Sequence, residues 1–211
     1  MKAKICILLL EIIAISVITS CNKEENDDDI TIPIEDTSGT FTDNRDGKIY
    51  QWIKIGNQIW MAENLNYDTI NESYVYNNIS SNANIYGLLY DFETACLVCP
   101  DGWHLPSDSE WTQLTDYLGG EYLAGGKLKE DSTEHWEYPN IGATNSSGFT
   151  ALPGGNHYKG SFCNLTSLAY FWTSSNNNIW GIFRSLYFDD HEVTNYLQDK
   201  EYCFSVRCVK D

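Results

Sequence analysis

The sequence predicts an α+β domain with about two helices, antiparallel strands and long loops, and three observations carry that reading. A hairpin signature opens the folded region, one well-marked helix lies near mid-chain, and three strand-like runs close the sequence. With 211 residues, 42% of them hydrophobic and 14% aromatic, the chain can build one domain with a substantial core, plus appendages.

The hairpin comes first. Residues 49–55, IYQWIKI, are rich in β-branched and aromatic types, and QIWM follows at 58–61. Gly56-Asn57 between them signals a two-residue turn, because glycine supplies the positive φ that such turns need. YGLLYDFETAC (86–96) spaces Leu88, Phe92 and Ala95 on one helical face. The next helix is better marked. Ser107 and Glu110 have capping-box spacing, in which the serine oxygen accepts from an orphan amide and the glutamate reaches back. Trp111, Leu114 and Leu118 form its inner stripe, and Gly119-Gly120 stops it. From there to residue 162 the chain reads as glycine-rich loops. AYFWTSS (169–175), WGIFRSLYF (180–188) and YCFSVRCV (202–209) are the closing strands. In the second, Ile182, Arg184, Leu186 and Phe188 alternate with Phe183, Ser185 and Tyr187. Asp189-Asp190-His191 reads as the turn that follows it.

Two segments precede the domain. Residues 1–20 combine Lys2 and Lys4, an apolar stretch interrupted by Glu11, and the small pair Thr19-Ser20. That is the make-up of a cleaved export signal. The junction ahead of Cys21 resembles the lipobox of bacterial lipoproteins, which makes Cys21 the lipid-bearing residue and the point of membrane attachment. The apolar run falls short of the roughly 20 residues of a spanning helix. Residues 21–38 read as an acidic tether: seven acids face Lys23 between 22 and 36, too much charge to fold alone. The acidic stretch resembles the surface-export signals of Bacteroidetes lipoproteins, implying an outer-membrane protein exposed at the cell surface. The domain then occupies 39–211. The net charge of -17 excludes nucleic acid as a partner.

The order of the pieces resembles the Fibrobacter succinogenes major paralogous domain family. The matching segments are DGKIYQWIKIGNQIWMAENLNY (46–67), YGLLYDF, CPDGWHLPSDSEWTQLTDYLGG (99–120), AGGKLKE (124–130), the W…PN…GATNSSGFTALPGG run (136–155), GSF, FWTSS and FSVRCVKD (204–211). The resemblance covers essentially all of 40–211. It implies a C-type-lectin-like α+β fold, distantly related to the formylglycine-generating enzymes, in exported proteins whose molecular function is largely undefined.

Five cysteines remain once Cys6 leaves with the signal and Cys21 takes lipid, and outside the cytoplasm disulfides are the default. The resemblance places Cys99 and Cys208 where lectin-like folds tie the helical region to the last strand. It leaves Cys163 and Cys203 as a second, local pair and Cys96 as a free thiol.

No catalytic constellation emerges. Cys96-x-x-Cys99 has neither a second such motif nor a histidine pair to complete a zinc site. Cys203 and Cys208, five apart in an extended strand, point to opposite faces about 16 Å apart, which disqualifies them as the cysteine pair of the formylglycine-generating enzymes. Glu137-Tyr138-Pro139-Asn140 looks superficially like a lectin calcium loop, but a residue separates acid from proline and no Trp-Asn-Asp partner follows. His104, His135, His157 and His191 show no paired spacing, so no metal and no cofactor is expected. Ligand recognition is expected from loops 135–158 and 174–180, through Trp136, Tyr138, Asn140, Asn145, Asn156, His157, Tyr158, Asn176, Asn177 and Trp180. Flat aromatic faces and two-sided amides suit a neutral glycan or a peptide surface. The functional expectation is a non-enzymatic binding or adhesion module. A carbohydrate-binding accessory lipoprotein and a redox enzyme of the formylglycine-generating kind are the alternatives.

Overall fold

The computed structural model describes residues 36–70 and 72–211; the expected leader, the expected lipid site at Cys21 and the expected tether as far as residue 35 lie outside them. The described chain forms strands β1 (Ser38–Thr42), β2 (Ile49–Ile55), β3 (Gln58–Met61) and β4 (Ser73–Tyr74), then helix α1 (Ser80–Tyr86). Next come β5 (Leu89–Tyr90), α2 (Phe92–Ala95), β6 (Trp103–His104), α3 (Asp108–Tyr117) and α4 (Glu121–Leu128). The remainder is β7 (Asn156–Tyr158), β8 (Ser161–Cys163), β9 (Leu168–Asn176), β10 (Trp180–Tyr187), β11 (Thr194–Asp199), β12 (Phe204–Ser205) and β13 (Val209–Lys210). This is an α+β fold with little helix. One sheet has the order β1-β2-β3-β13-β6, a second β11-β10-β9-β12-β5-β4, and β7-β8 is a separate hairpin.

The β2–β3 hairpin forms as its sequence requires, with Gly56 at φ 60°. Helix α3 carries the expected capping box, Ser107 accepting from the Glu110 amide while the Glu110 carboxylate takes the Ser107 amide. Its Trp111 and Leu114 are fully buried, and Trp111 meets Trp60 and Phe149 edge-on at 5.1 and 5.7 Å. Such aromatic contacts add to area burial, and here they join α3 to both sheets, since Phe171 of β9 packs against the same rings.

Several elements differ from the sequence reading: Ser38, read as tether, opens β1, and β7 and β8 form within the run read as loop. Residues 86–96 are not one helix: Gly87 stands at φ 70°, and a Cβ there would come within 2.6 Å of the Leu65 carbonyl oxygen. Leu89 and Tyr90 pair instead with β4 and β12. Tyr86 closes α1, and beyond Gly87 only Phe92–Ala95 is helical, capped by Asp91 accepting from the Thr94 amide at 2.8 Å. Conversely, α4 is a helix where Gly125-Gly126 reads as loop. These glycines permit close approach, since a Cβ at Gly126 would lie 2.2 Å from the Gly142 carbonyl oxygen and one at Gly125 2.6 Å from that of Glu192. Tertiary contact thereby outweighs a helix propensity cost of about 1 kcal/mol per glycine. Finally, the last run is not one strand. It leaves the second sheet after Ser205, crosses at Val206–Cys208 and joins the first sheet at Val209.

The chain from Lys129 to Gly155 has almost no regular structure, and side chains satisfy its carbonyls. Lys129, fully buried, donates to the carbonyls of Ile141, Tyr187 and Asp190 at 3.0, 2.8 and 2.6 Å. Burial pushes its pKa down to about 8, against the pull of Asp190 and Asp189, so the ammonium persists at neutral pH. Trp136 Nε1 donates to the Ala151 carbonyl, and Asn140 Nδ2 to those of Glu130 and Ser132. Thr150, a β-branched residue at φ 54°, is held by two hydrogen bonds with the Asn145 amide, each 2.9 Å. Replacing Lys129 with methionine keeps the stem and strands three carbonyls. Urea denaturation should then show a loss of about 2–4 kcal/mol; a loss under about 0.5 kcal/mol would mean that the ammonium does not organise the loop.

Candidate functional site

The β7–β8 hairpin divides two clefts by strand alternation. Asn156 pairs with Cys163 across it, and His157 with Phe162, so these two pairs face opposite ways. On the Asn156 side, a cleft of about 330 Å³ opens over β9–β12. Its wall is Tyr170, Tyr187, Tyr202, Asn156, Asn164 and Gln198, with Phe183, Phe204 and Cys163 completing it, and it contains no Asp, Glu, Lys, Arg or His. Tyr170 stacks on Phe204 at 4.9 Å and Tyr202 on Tyr158 at 4.0 Å, which fixes the ring planes. Asn164 Nδ2 donates both to Asn156 Oδ1 at 3.0 Å and to the Tyr170 hydroxyl at 3.1 Å. Burial pushes the Tyr170 pKa up to about 12, so the phenol stays protonated and can itself donate. Fixed rings with a pre-set row of neutral donors and acceptors is the chemistry of recognising hydroxyl groups.

On the His157 side a second cleft of about 480 Å³ is lined by Tyr74, Asp91, His157, Lys159, Glu201 and Cys203. A cysteine and a histidine sit here as cross-strand neighbours, since His157 and Cys203 exchange backbone hydrogen bonds. The pair lacks the features of an activated nucleophile. Burial pushes the Cys203 thiol up to about 12 and the His157 imidazole down. His157 Nε2 accepts from the Gly160 amide at 3.2 Å, while its Nδ1 is buried without a partner. A protonated thiol beside a neutral imidazole is the reverse of a thiolate–imidazolium couple.

The sequence candidates are dispersed. Asn156 lines the first cleft and Tyr158 braces it from behind through Tyr202. His157 belongs to the second cleft, clamped between Tyr74 and Phe162 at 4.0 and 4.6 Å. Trp136 is core, 2% exposed, and Asn140, 6% exposed, spends its amide on loop carbonyls, so neither presents a binding surface. Asn145 serves Thr150 in the same way. Tyr138 is exposed on that loop. Asn176 and Asn177 accept the amides of Asn178 and Trp180 in the β9–β10 turn, where Trp180 is part-exposed. Asn164, Tyr170, Tyr187, Gln198 and Tyr202 escaped the sequence reading. Tyr170 and Tyr187 fall in strand runs, which point to the core, whereas both are only half-buried at the cleft.

The cysteines follow the expected pairing in part. Cys99 and Cys208 form a disulfide with Cα atoms 6.0 Å apart, and Cys96 is a free, exposed thiol. Cys163 and Cys203 are also free, contrary to the expected second bond. They flank β7 on different sides, opposite consecutive residues, so their side chains face different clefts. Among the described residues, one group of side chains has the composition of a metal site, Glu130, Glu134 and His135.

The family model for the Fibrobacter succinogenes major domain matches residues 53–210. Comparisons with curated proteins and with solved structures give no match. The cysteine assignment has a direct check. Alkylation of the native chain followed by peptide mapping should label Cys96 and Cys163, spare Cys203 until denaturant is added, and recover Cys99 joined to Cys208; a Cys163–Cys203 linked peptide would contradict it.

Proposed function

The chain belongs to the Fibrobacter succinogenes major domain family, and from that premise we propose that its domain is a non-catalytic binding module for a neutral saccharide. In this reading the leader exports it, lipid on Cys21 anchors it to the outer membrane, and the acidic tether holds a C-type-lectin-like domain out at the cell surface. The observation that carries the proposal is the uncharged cleft between the β7–β8 hairpin and β9–β12, with its fixed tyrosines and the Asn156–Asn164–Tyr170 hydrogen-bond row. Sugar rings offer an apolar C–H face and a rim of hydroxyls. Tyrosine faces match the first, and amides, which donate and accept, match the second. The overall charge of -17 disfavours acidic polymers and leaves neutral glycans as the fitting class.

The test is a screen of neutral and acidic oligosaccharides against the full chain. Binding to a neutral glycan is expected. Asn164→Ala with Gln198→Ala should weaken it at least about tenfold, the loss of one or two hydrogen bonds, without moving the thermal midpoint by more than a few degrees. Bound glycan should also slow alkylation of Cys163, which lines the cleft, and leave Cys96 unaffected. Binding that survives the double substitution, or confined to acidic glycans, would sink the reading.

A further inference from the structure

The loop that leaves β-bridge residue Lys129 brings three potential metal ligands together. Glu130, Glu134 and His135 each offer one ligand atom, and these atoms lie within 4.8 Å of one another. His135 Nδ1 is 2.9 Å from Glu130 Oε1, and these two side chains are only 21% and 15% exposed. Glu134 is exposed.

Two further observations favour a cation at this loop. Among the described residues, five buried side-chain polar atoms have no hydrogen-bond partner, and two of them, Glu130 Oε2 and Asn140 Oδ1, belong to this one loop. Both are oxygen acceptors. A carboxylate oxygen screened from water with no donor is costly, and a bound cation removes that cost. Asn140 is more than nine-tenths buried, and its Nδ2 grips the carbonyls of Glu130 and Ser132 at 2.8 and 2.7 Å. Its amide therefore lies against the backbone that carries the ligands. The ammonium of the adjacent Lys129 is already engaged, since it donates to the carbonyls of Ile141, Tyr187 and Asp190.

We propose that Glu130, Glu134 and His135 form a binding site for a divalent transition metal of the zinc class, with a fourth position open to water. An imidazole nitrogen with two carboxylates selects borderline metals such as zinc over calcium, which takes six to eight oxygens. Zinc bonds of about 2.0–2.2 Å place ligand atoms about 3.3 Å apart, so the 2.9 Å pair needs little change and the exposed Glu134 closes the set. The Tyr86 ring, edge-on to His135 with centroids 5.8 Å apart, limits rotation of the imidazole. The metal would bridge the two ends of the 130–135 loop. The site is independent of the saccharide cleft.

The test uses the untagged full chain, stripped with a chelator and titrated with Zn²⁺ by calorimetry. The expected result is one equivalent bound at micromolar or tighter affinity, with a raised thermal midpoint. Glu134→Gln and His135→Asn should each weaken this binding at least about tenfold, the scale on which ligand-shell changes act. Both variants keep the acidic tether and the thiols of Cys96 and Cys163, so zinc held there would not respond. Glu134 is exposed, so its variant keeps the fold if the His135 variant does not. Calcium at equal concentration should fail to displace zinc. The proposal is overturned if the parent takes up no zinc, if Glu134→Gln binds as the parent does, or if calcium displaces the metal.

Discussion

Arg207 is the point on which the two sheets and the long loop depend. It lies in the three-residue crossing between β12 and β13, 1% exposed, and its hydrogen bonds go to uncharged oxygens. Nε donates to Asn64 Oδ1 at 2.9 Å, one terminal nitrogen to the Phe149 and Met61 carbonyls, the other to the Thr150 carbonyl at 2.8 Å. The guanidinium also lies 4.2 Å over the Phe149 ring. A planar fork with five donors is the side chain able to serve so many acceptors at once. Burial lowers its pKa, and the desolvation cost is offset by those carbonyls and by the negative charge of Glu63. Around it the backbone closes the same junction: the amides of Met61 and Leu65 donate to the carbonyls of Cys208 and Val206. The Cys99–Cys208 bond, spanning 109 residues, secures the crossing covalently.

That junction supports the long loop from inside. With Arg207 and Lys129 satisfying loop carbonyls from inside, the loop needs no sheet partner, and its glycines and asparagines can follow the shape of the core. The β7–β8 hairpin lies beside β12 through the His157–Cys203 bridge, and its alternation creates two clefts of different character. One is neutral, aromatic and amide-rich. The other holds Asp91, Lys159 and Glu201 beside a buried, protonated thiol.

Much of the framework was legible in the sequence, and the failures share a cause. The β2–β3 hairpin and α3 are specified locally, by Gly56 and by the Ser107–Glu110 box, and both form as read. The Cys99–Cys208 bond was legible through family resemblance and not through spacing. What failed was specified by contacts distant in sequence. Gly125 and Gly126 read as loop residues because the backbone they must admit, at Gly142 and Glu192, is not adjacent in the chain. Residues 86–96 carry a helical stripe that the pairing of Leu89–Tyr90 with β12 overrides. The same applies to the site. Trp136 and Asn140 look like recognition residues until their polar atoms are seen to serve loop carbonyls, while Asn164 and Tyr170 become a pair only through the fold.

The Arg207 fork holds the loop as a unit. Native-state hydrogen exchange on Arg207→Lys, which keeps the charge and removes the fork, tests it most directly. In the variant the amides of residues 143–151, including Ala151 bonded to Leu128, should exchange at least about tenfold faster relative to those of β9 and β10 than in the parent, a local opening rather than global loss. Loop amides that keep pace with the sheet amides would contradict it.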